Sequence, residues 1–127
     1  KKVFDLNLEN DVIFQGPINQ TEMSTYFSNA KLIIVPTLYE SISIPVFEAF
    51  KYQVPVCSSG IYAIKGQVGD AGIFFNPEDI TSIYKAIKIG LSDKKLRIKC
   101  VENGKRRLEF FSNSRFNNLL NNALNEN

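Results

Sequence analysis

Two carboxylates, Glu40 and Glu48, flank a short loop inside the run from Leu32 to Ser59. Pro45 sits between them where a helix would begin, because its fixed φ suits the first turn and its missing N–H is not needed there. Unpaired N–H groups of a loop and first helical turn, together with the helix dipole, favour an anion such as phosphate. A glutamate about one turn into the helix would repel phosphate. It is well placed to accept hydrogen bonds from sugar hydroxyls beside one, as an acidic residue does in dinucleotide folds. The chemistry these residue types suit is the holding of a phosphorylated sugar across the loop, with Glu48 gripping hydroxyls. Taken alone, two glutamates at this spacing more often mean a residue that caps or solvates a loop and an ordinary exposed helix residue.

The elements that must position them follow from the apolar pattern. Leu32 to Val35 is a continuous apolar run, expected to be a strand covered on both faces. Pro36 ends it, Thr37 to Ile44 connects, Val46 to Tyr52 fills the helix, and Val54 to Cys57 is the next strand. Upstream, Lys1 to Asn10 reads as the end of a helix or as a loop leading into a strand at Val12 to Gln15. Asn19 or Thr21 can cap a helix from Glu22 to Ala30, with Met23, Tyr26, Phe27 and Ala30 on one face. Downstream, Ser58 to Gly66 reads as a loop and Ile73 to Phe75 as a last strand closed by Asn76-Pro77. Asp79 caps a helix from Ile80 to Leu91, with Ile83, Ile87 and Leu91 on one face, and Ser92 or Asp93 restarts a helix through Phe110. Ser112 caps a final helix with Phe116, Leu119, Leu120 and Ala123 toward the core, and Asn121 to Asn127 should fray. This β-α-β-α order implies an α/β fold with a parallel sheet and helices on both faces. Ligands in such sheets bind outside the carboxyl ends of the strands, where Gly16, Thr37 to Ile44 and Ser58 to Ile61 converge.

The 127 residues suffice for one domain with one core. A net charge of +2 gives no reason to invoke nucleic acid, although Lys94 to Arg107 is locally basic and is expected to be a solvated face. No apolar run approaches the roughly 20 residues of a membrane span. The chain has no histidine, which removes imidazole acid–base chemistry and the commonest transition-metal ligand; no metal and no cofactor are expected. Cys57 and Cys100 form no motif and read as buried thiols of a reducing compartment.

The run Pro36-Thr37-Leu38-Tyr39-Glu40-Ser41-Ile42-Ser43-Ile44-Pro45-Val46-Phe47-Glu48-Ala49-Phe50, continuing through Val54-Pro55-Val56 to Ser59, resembles the E-x7-E signature of retaining GT-B glycosyltransferases of family 4, the group 1 class. Val68-Gly69-Asp70-Ala71-Gly72 through Asp79 looks like that family's V-G-D-A-G block, and Val12-Ile13-Phe14-Gln15-Gly16 like its V-x-F-x-G strand. The resemblance implies a Rossmann-like three-layer α/β/α parallel sheet, the C-terminal, donor-binding half of a GT-B fold. It also implies a donor that is a nucleotide diphosphate sugar, UDP- or GDP-linked. By that resemblance Glu40 lies beside the donor sugar as the catalytic position, Glu48 accepts from the ribose, and backbone amides of the loop Ser41, Ile42, Ser43 and Ile44 (Ser43 and Ile44 above all) face the diphosphate. The turn Gly16, Pro17, Ile18 lies near the base, and the region Ser58 to Gly66 continues into a short helix near the sugar.

Ser41 and Ser43 depart from the family pattern, which commonly has glycine at both places. A Cβ restricts φ there, so either the loop accepts negative φ or donor binding is altered; the hydroxyls could also donate to phosphate. Gln53, where the family has glycine or another small residue, is expected to be a minor change. Against the family pattern residues 1–127 read as a single, partial C-terminal domain that lacks its first strand and helix, the basic clamp and the N-terminal GT-B domain. The 127 residues alone are then expected to be inactive. The implied setting is cytoplasmic, at the inner membrane face, with peripheral membrane contact through the full-length protein. Two other readings stay open: a non-catalytic Rossmann-like module, and a GT-B nucleotide-sugar epimerase.

Overall fold

The computed structural model describes residues 1–125. Three short parallel strands, β1 (Ile33–Val35), β2 (Val56–Ser59) and β3 (Gly72–Phe75), lie in sequence order, with Ile33 opposite Val56 and Val56 opposite Gly72. The helices are α1 (Lys2–Asp5), α2 (Gln20–Asn29), α3 (Ile44–Lys51), α4 (Tyr62–Val68), α5 (Ile80–Ser92), α6 (Lys94–Phe110) and α7 (Asn113–Asn125). Right-handed crossovers that advance in one direction put α3 and α4 on the same face of the sheet. There Val35 and Val56 pack with Val46, Ala49, Phe50, Ile64 and Val68. The alternate strand residues Cys57 and Phe75 point the other way and meet Ala86 and Ile83 of α5, which completes three layers.

The helix starts follow their caps. Asn19 accepts from the Glu22 amide while Glu22 reaches back to the Asn19 amide, a complete capping box. Asp79 and Asp93 accept from the amides of Thr81 and Leu96 at the heads of α5 and α6. Gly104 lets α6 lie against α3: a Cβ there would come within 2.7 Å of the Phe50 ring.

Six expectations are corrected. Val12 to Gln15 forms no strand: it pairs with nothing among the described residues, the outer edge of β1 stays unpaired, and Ile13 and Phe14 are 80% and 83% exposed. Nor is β1 covered on both faces: α5 packs on β2 and β3 and leaves Ile34 exposed. Of the proposed core face of α2, Phe27 is buried and Ala30 half-buried, whereas Met23 and Tyr26 are exposed. Residues 62–68 are a helix with Ile64, Gln67 and Val68 buried, so the loop read from the turn residues is corrected and the short helix implied by the resemblance is present. On α5 the packed positions are Ala86 and Gly90, and Leu91 is exposed. Ser112 caps α7 through the Arg115 amide, but Phe116 is exposed; the side chains of Leu119, Leu120 and Ala123, and residues 126–127 of the expected frayed end, lie outside the described residues.

Gln53 matters more than expected. It adopts φ +59° after the end of α3, where its amide donates to the Phe50 carbonyl and the Val54 amide to the Ala49 carbonyl. This is a Schellman ending, whose left-handed residue favours glycine. Gln53→Gly is expected to stabilise the fold by about 0.5–1 kcal/mol, read as an upward shift of the urea midpoint.

Cys57 and Cys100 are free and buried. Burial, and secondarily Cys100, pushes the Cys57 thiol up to about 11, and burial raises Cys100 as well. Both should therefore resist alkylation at pH 8 until the chain unfolds, as counted by mass spectrometry. A raised folded-state value makes the thiol's contribution full below pH 9 and lost as pH climbs toward 11, so stability should fall in that window.

Candidate donor site

Every loop at the carboxyl edge of the sheet leaves a strand and enters a helix, so the edge collects their helix heads. Glu40 lies in the loop between β1 and α3, half-buried, and Thr37 shapes that loop by donating to the Tyr39 carbonyl at 3.1 Å. Glu48 is the fifth residue of α3, one turn in, and is also half-buried. Neither carboxylate has a hydrogen-bond partner among the described residues, so both are free to accept one.

Glu48 borders a cavity of about 270 Å³ with Gln20, Met23 and Ser24 of α2 and with Tyr52, whose hydroxyl donates to Ser24 at 2.7 Å. The turn Gly16, Pro17, Ile18 leads directly into the head of α2, and Gly16 holds φ +65°, a conformation suited to glycine. The turn expected near the base therefore leads into the helix whose Gln20, Met23 and Ser24 border the recess of Glu48. A larger cleft of about 530 Å³ lies across the carboxyl edge, bounded by Leu38, Gly60, Ile61, Lys65, Asn76 and Glu78 among others. Neither Glu40 nor Glu48 lines it. The structure therefore divides the edge into two recesses, with the loop of Glu40 between β1 and α3.

At the head of α3 the structure corrects the expected amide cradle. Ser43 is fully buried, and its amide donates to Gln67 Oε1 at 2.8 Å instead of facing the open edge. Its hydroxyl is buried without a partner, so it does not reach toward phosphate. Ser43 sits at φ −107°, an ordinary extended conformation, which answers the question posed by its Cβ: the loop accepts a non-glycine residue here. The donors left at this head are the amides of Ile44 and Val46, Pro45 having none; neither is hydrogen-bonded among the described residues. Ser41 and Ile42 are exposed on the loop.

The sequence reading missed Gln67, Lys65 and the place of Arg107. Gln67 had a usable signal, since it stands at helical spacing with Ile64 and Val68 on an otherwise apolar face. Arg107, expected on a solvated basic face, donates from Nε to the Gln67 carbonyl at 3.0 Å and from Nη2 to the Gly66 carbonyl. It holds the last turn of α4, a place that favours a cation. Lys94, Arg97 and Lys105 border a third cavity, of about 510 Å³, with Gln53 and Pro55. No helix among the described residues is long and apolar enough to cross a membrane.

A three-layer parallel α/β unit with an acid-flanked loop at its carboxyl edge has the architecture of the donor-binding half of a GT-B glycosyltransferase. The family pattern of "Glycosyl transferases group 1" matches residues 1–107, and the chain belongs to that family. It is 28% identical over 89 residues to the O-antigen chain mannosyltransferase B of Escherichia coli, covering 70% of this chain and 23% of that protein. It is 30% identical over 86 residues to the O-antigen chain mannosyltransferase RfbU of Salmonella typhimurium, covering 68% and 24%. The chain thus spans about a quarter of the length of these relatives. Among solved structures it is similar to a sucrose-phosphate synthase from Thermosynechococcus elongatus, with a TM-score of 0.81 and 26% identity, over 97% of this chain and 31% of that one. The C-terminal domain of a group 1 glycosyl transferase from Francisella tularensis shares the fold, with a TM-score of 0.74 and 23% identity, over 87% and 58%.

Proposed function

We propose that this chain binds the donor for a retaining glycosyltransferase that takes its sugar from a nucleotide diphosphate sugar. The observation that carries the reading is the position of Glu48, unpartnered beside α2 and one turn below the open amides of Ile44 and Val46. In this reading the ribose hydroxyls donate to Glu48, the base lies toward Gly16 to Ile18, and the diphosphate meets the Ile44 and Val46 amides. Glu40 positions the sugar. As the bond from the anomeric carbon to the phosphate oxygen breaks, the electron pair leaves with the nucleoside diphosphate. The amides and dipole of α3 then stabilise the charge gathering on that oxygen. The acceptor hydroxyl attacks from the side the leaving group vacates and passes its proton to the departing phosphate oxygen, which preserves the configuration.

The relatives' names make mannose the first sugar to try, and GDP and UDP are the carriers to test with it. Leu38, Tyr39, Ile42, Ile44 and Tyr62 are exposed apolar residues along the same edge, the surface an N-terminal GT-B domain would cover in the full-length protein. The test is transfer from GDP-mannose and UDP-linked hexoses by the full-length protein, with the anomeric configuration of the product read by NMR. A retained configuration supports the reading. An inverted product, or epimerised donor without acceptor, would overturn it.

A further inference from the structure

Gln67 makes a contact that packing alone does not call for. It lies on the buried face of α4 between Ile64 and Val68, where an aliphatic side chain would fill space without desolvating an amide. Instead it is 5% exposed and brackets one residue of another element: Oε1 accepts from the Ser43 amide at 2.8 Å, and Nε2 donates to the Ser43 carbonyl at 2.7 Å. The pairing fixes the orientation of the side-chain amide, since the backbone N–H can only donate and the carbonyl can only accept.

Ser43 is the residue immediately before α3. Both its backbone groups are held, so the direction in which the next amides point is set from α4. The bracket is itself anchored. Arg107 of α6 holds the Gln67 carbonyl, and Phe110 and Phe111 lie about its guanidinium with ring centres 5.2 and 5.0 Å away. Gly69, at φ +57°, keeps the space beside that guanidinium open: a Cβ would stand 3.3 Å from Arg107 Cζ. A rigid path therefore runs from α6 through α4 to the head of α3.

We infer that Gln67 is a positioning residue for the donor loop: by bracketing the Ser43 backbone it aims the Ile44 and Val46 amides and sets the loop of Glu40 against the helix of Glu48. The inference rests on the donor reading for its catalytic consequence, but not for its structural one. Gln67 touches no substrate. It removes one possible donor to phosphate, the Ser43 amide, in exchange for a fixed direction of the next ones. Preorganised donors lose less on binding than donors that must be ordered by the ligand.

The test uses the full-length protein in two variants. Gln67→Met keeps the length and volume but forms neither hydrogen bond. Gln67→Glu keeps the acceptor, and provides a donor only when its carboxyl is protonated. Hydrogen exchange without ligand is expected to quicken at least tenfold in peptides covering residues 41–47 of the Met variant, with β2 and β3 unchanged. The KM for the donor is expected to rise about tenfold, with kcat within threefold. For the Glu variant, donor KM should approach that of the unaltered protein as pH falls, while the unaltered protein shows no such trend. Unchanged exchange at residues 41–47 would overturn the inference, as would donor KM values indifferent to both substitutions and to pH. Should the Met variant not fold, the pH trend of the Glu variant decides. If the unaltered protein binds no nucleotide sugar, the donor reading is what fails, and the exchange result still decides whether Gln67 sets the loop.

Discussion

Glu40→Gln in the full-length protein is expected to lower kcat by about 10²–10³-fold, some 3–4 kcal/mol of barrier, with the donor KM changed by less than threefold. The substitution keeps shape and hydrogen-bonding reach but removes the charge. In the proposed reaction the anomeric centre becomes cationic only as the leaving group departs, so a carboxylate beside it acts mainly on the transition state. Glu40 is well suited to that role because it is half-buried, in the loop that enters α3, and without a partner among the described residues. Steady-state kinetics with saturating acceptor would separate the two constants. A large rise in KM with kcat intact would instead make Glu40 a ground-state binding residue.

Glu48→Ala should act on the other constant. Its carboxylate borders the recess under α2; in the proposed reading it lies away from the breaking bond and would accept hydrogen bonds from hydroxyls that are equally present before and during reaction. Loss of one hydrogen bond's worth of contact to this half-exposed charged acceptor is about 2–3 kcal/mol, so nucleoside diphosphate affinity should fall about 30–100-fold. Calorimetry on the full-length protein measures this directly. The fold should hold, because the Glu48 side chain bonds to nothing within the described residues and only its backbone carbonyl serves the end of α3. An affinity within threefold of the unaltered protein would remove Glu48 from the site.

Much of this was legible in the sequence because local chemistry and global fold agree. Pro45, Asp79, Asp93 and Asn19 each mark a helix start that the structure keeps. The apolar run at Val56 and Cys57 became a fully buried central strand with residues alternating between two cores. What was not legible depended on partners distant in sequence. Val12 to Gln15 has strand composition, but a strand exists only when its backbone bonds to a neighbour, and among the described residues this segment bonds to none while the outer edge of β1 stays unpaired. Residues 62–68 look like a loop between Gly60 and Gly66, yet Ile64 and Val68 bury one face and α6 fixes the end through Arg107. Local propensity loses to that packing.

The candidate site divides in the same way. The spacing of Glu40 and Glu48 around a helix start was visible in the residues, and the structure keeps it. The state of the Ser43 amide was not, because its partner lies 24 residues away on another helix. A serine in place of glycine pointed to backbone strain, whereas its φ is ordinary and its backbone is committed inward. The consequence for the account is specific: the diphosphate is expected at Ile44 and Val46, one residue further along than the family pattern suggested.

The most direct measurement is a crystal structure of the full-length protein with bound GDP or UDP. The account predicts ribose hydroxyls within hydrogen-bonding distance of the Glu48 carboxylate, phosphate oxygens at the Ile44 and Val46 amides, and the Gln67–Ser43 bracket intact. A nucleotide seated elsewhere, with Glu48 facing solvent and the head of α3 unoccupied, would contradict it.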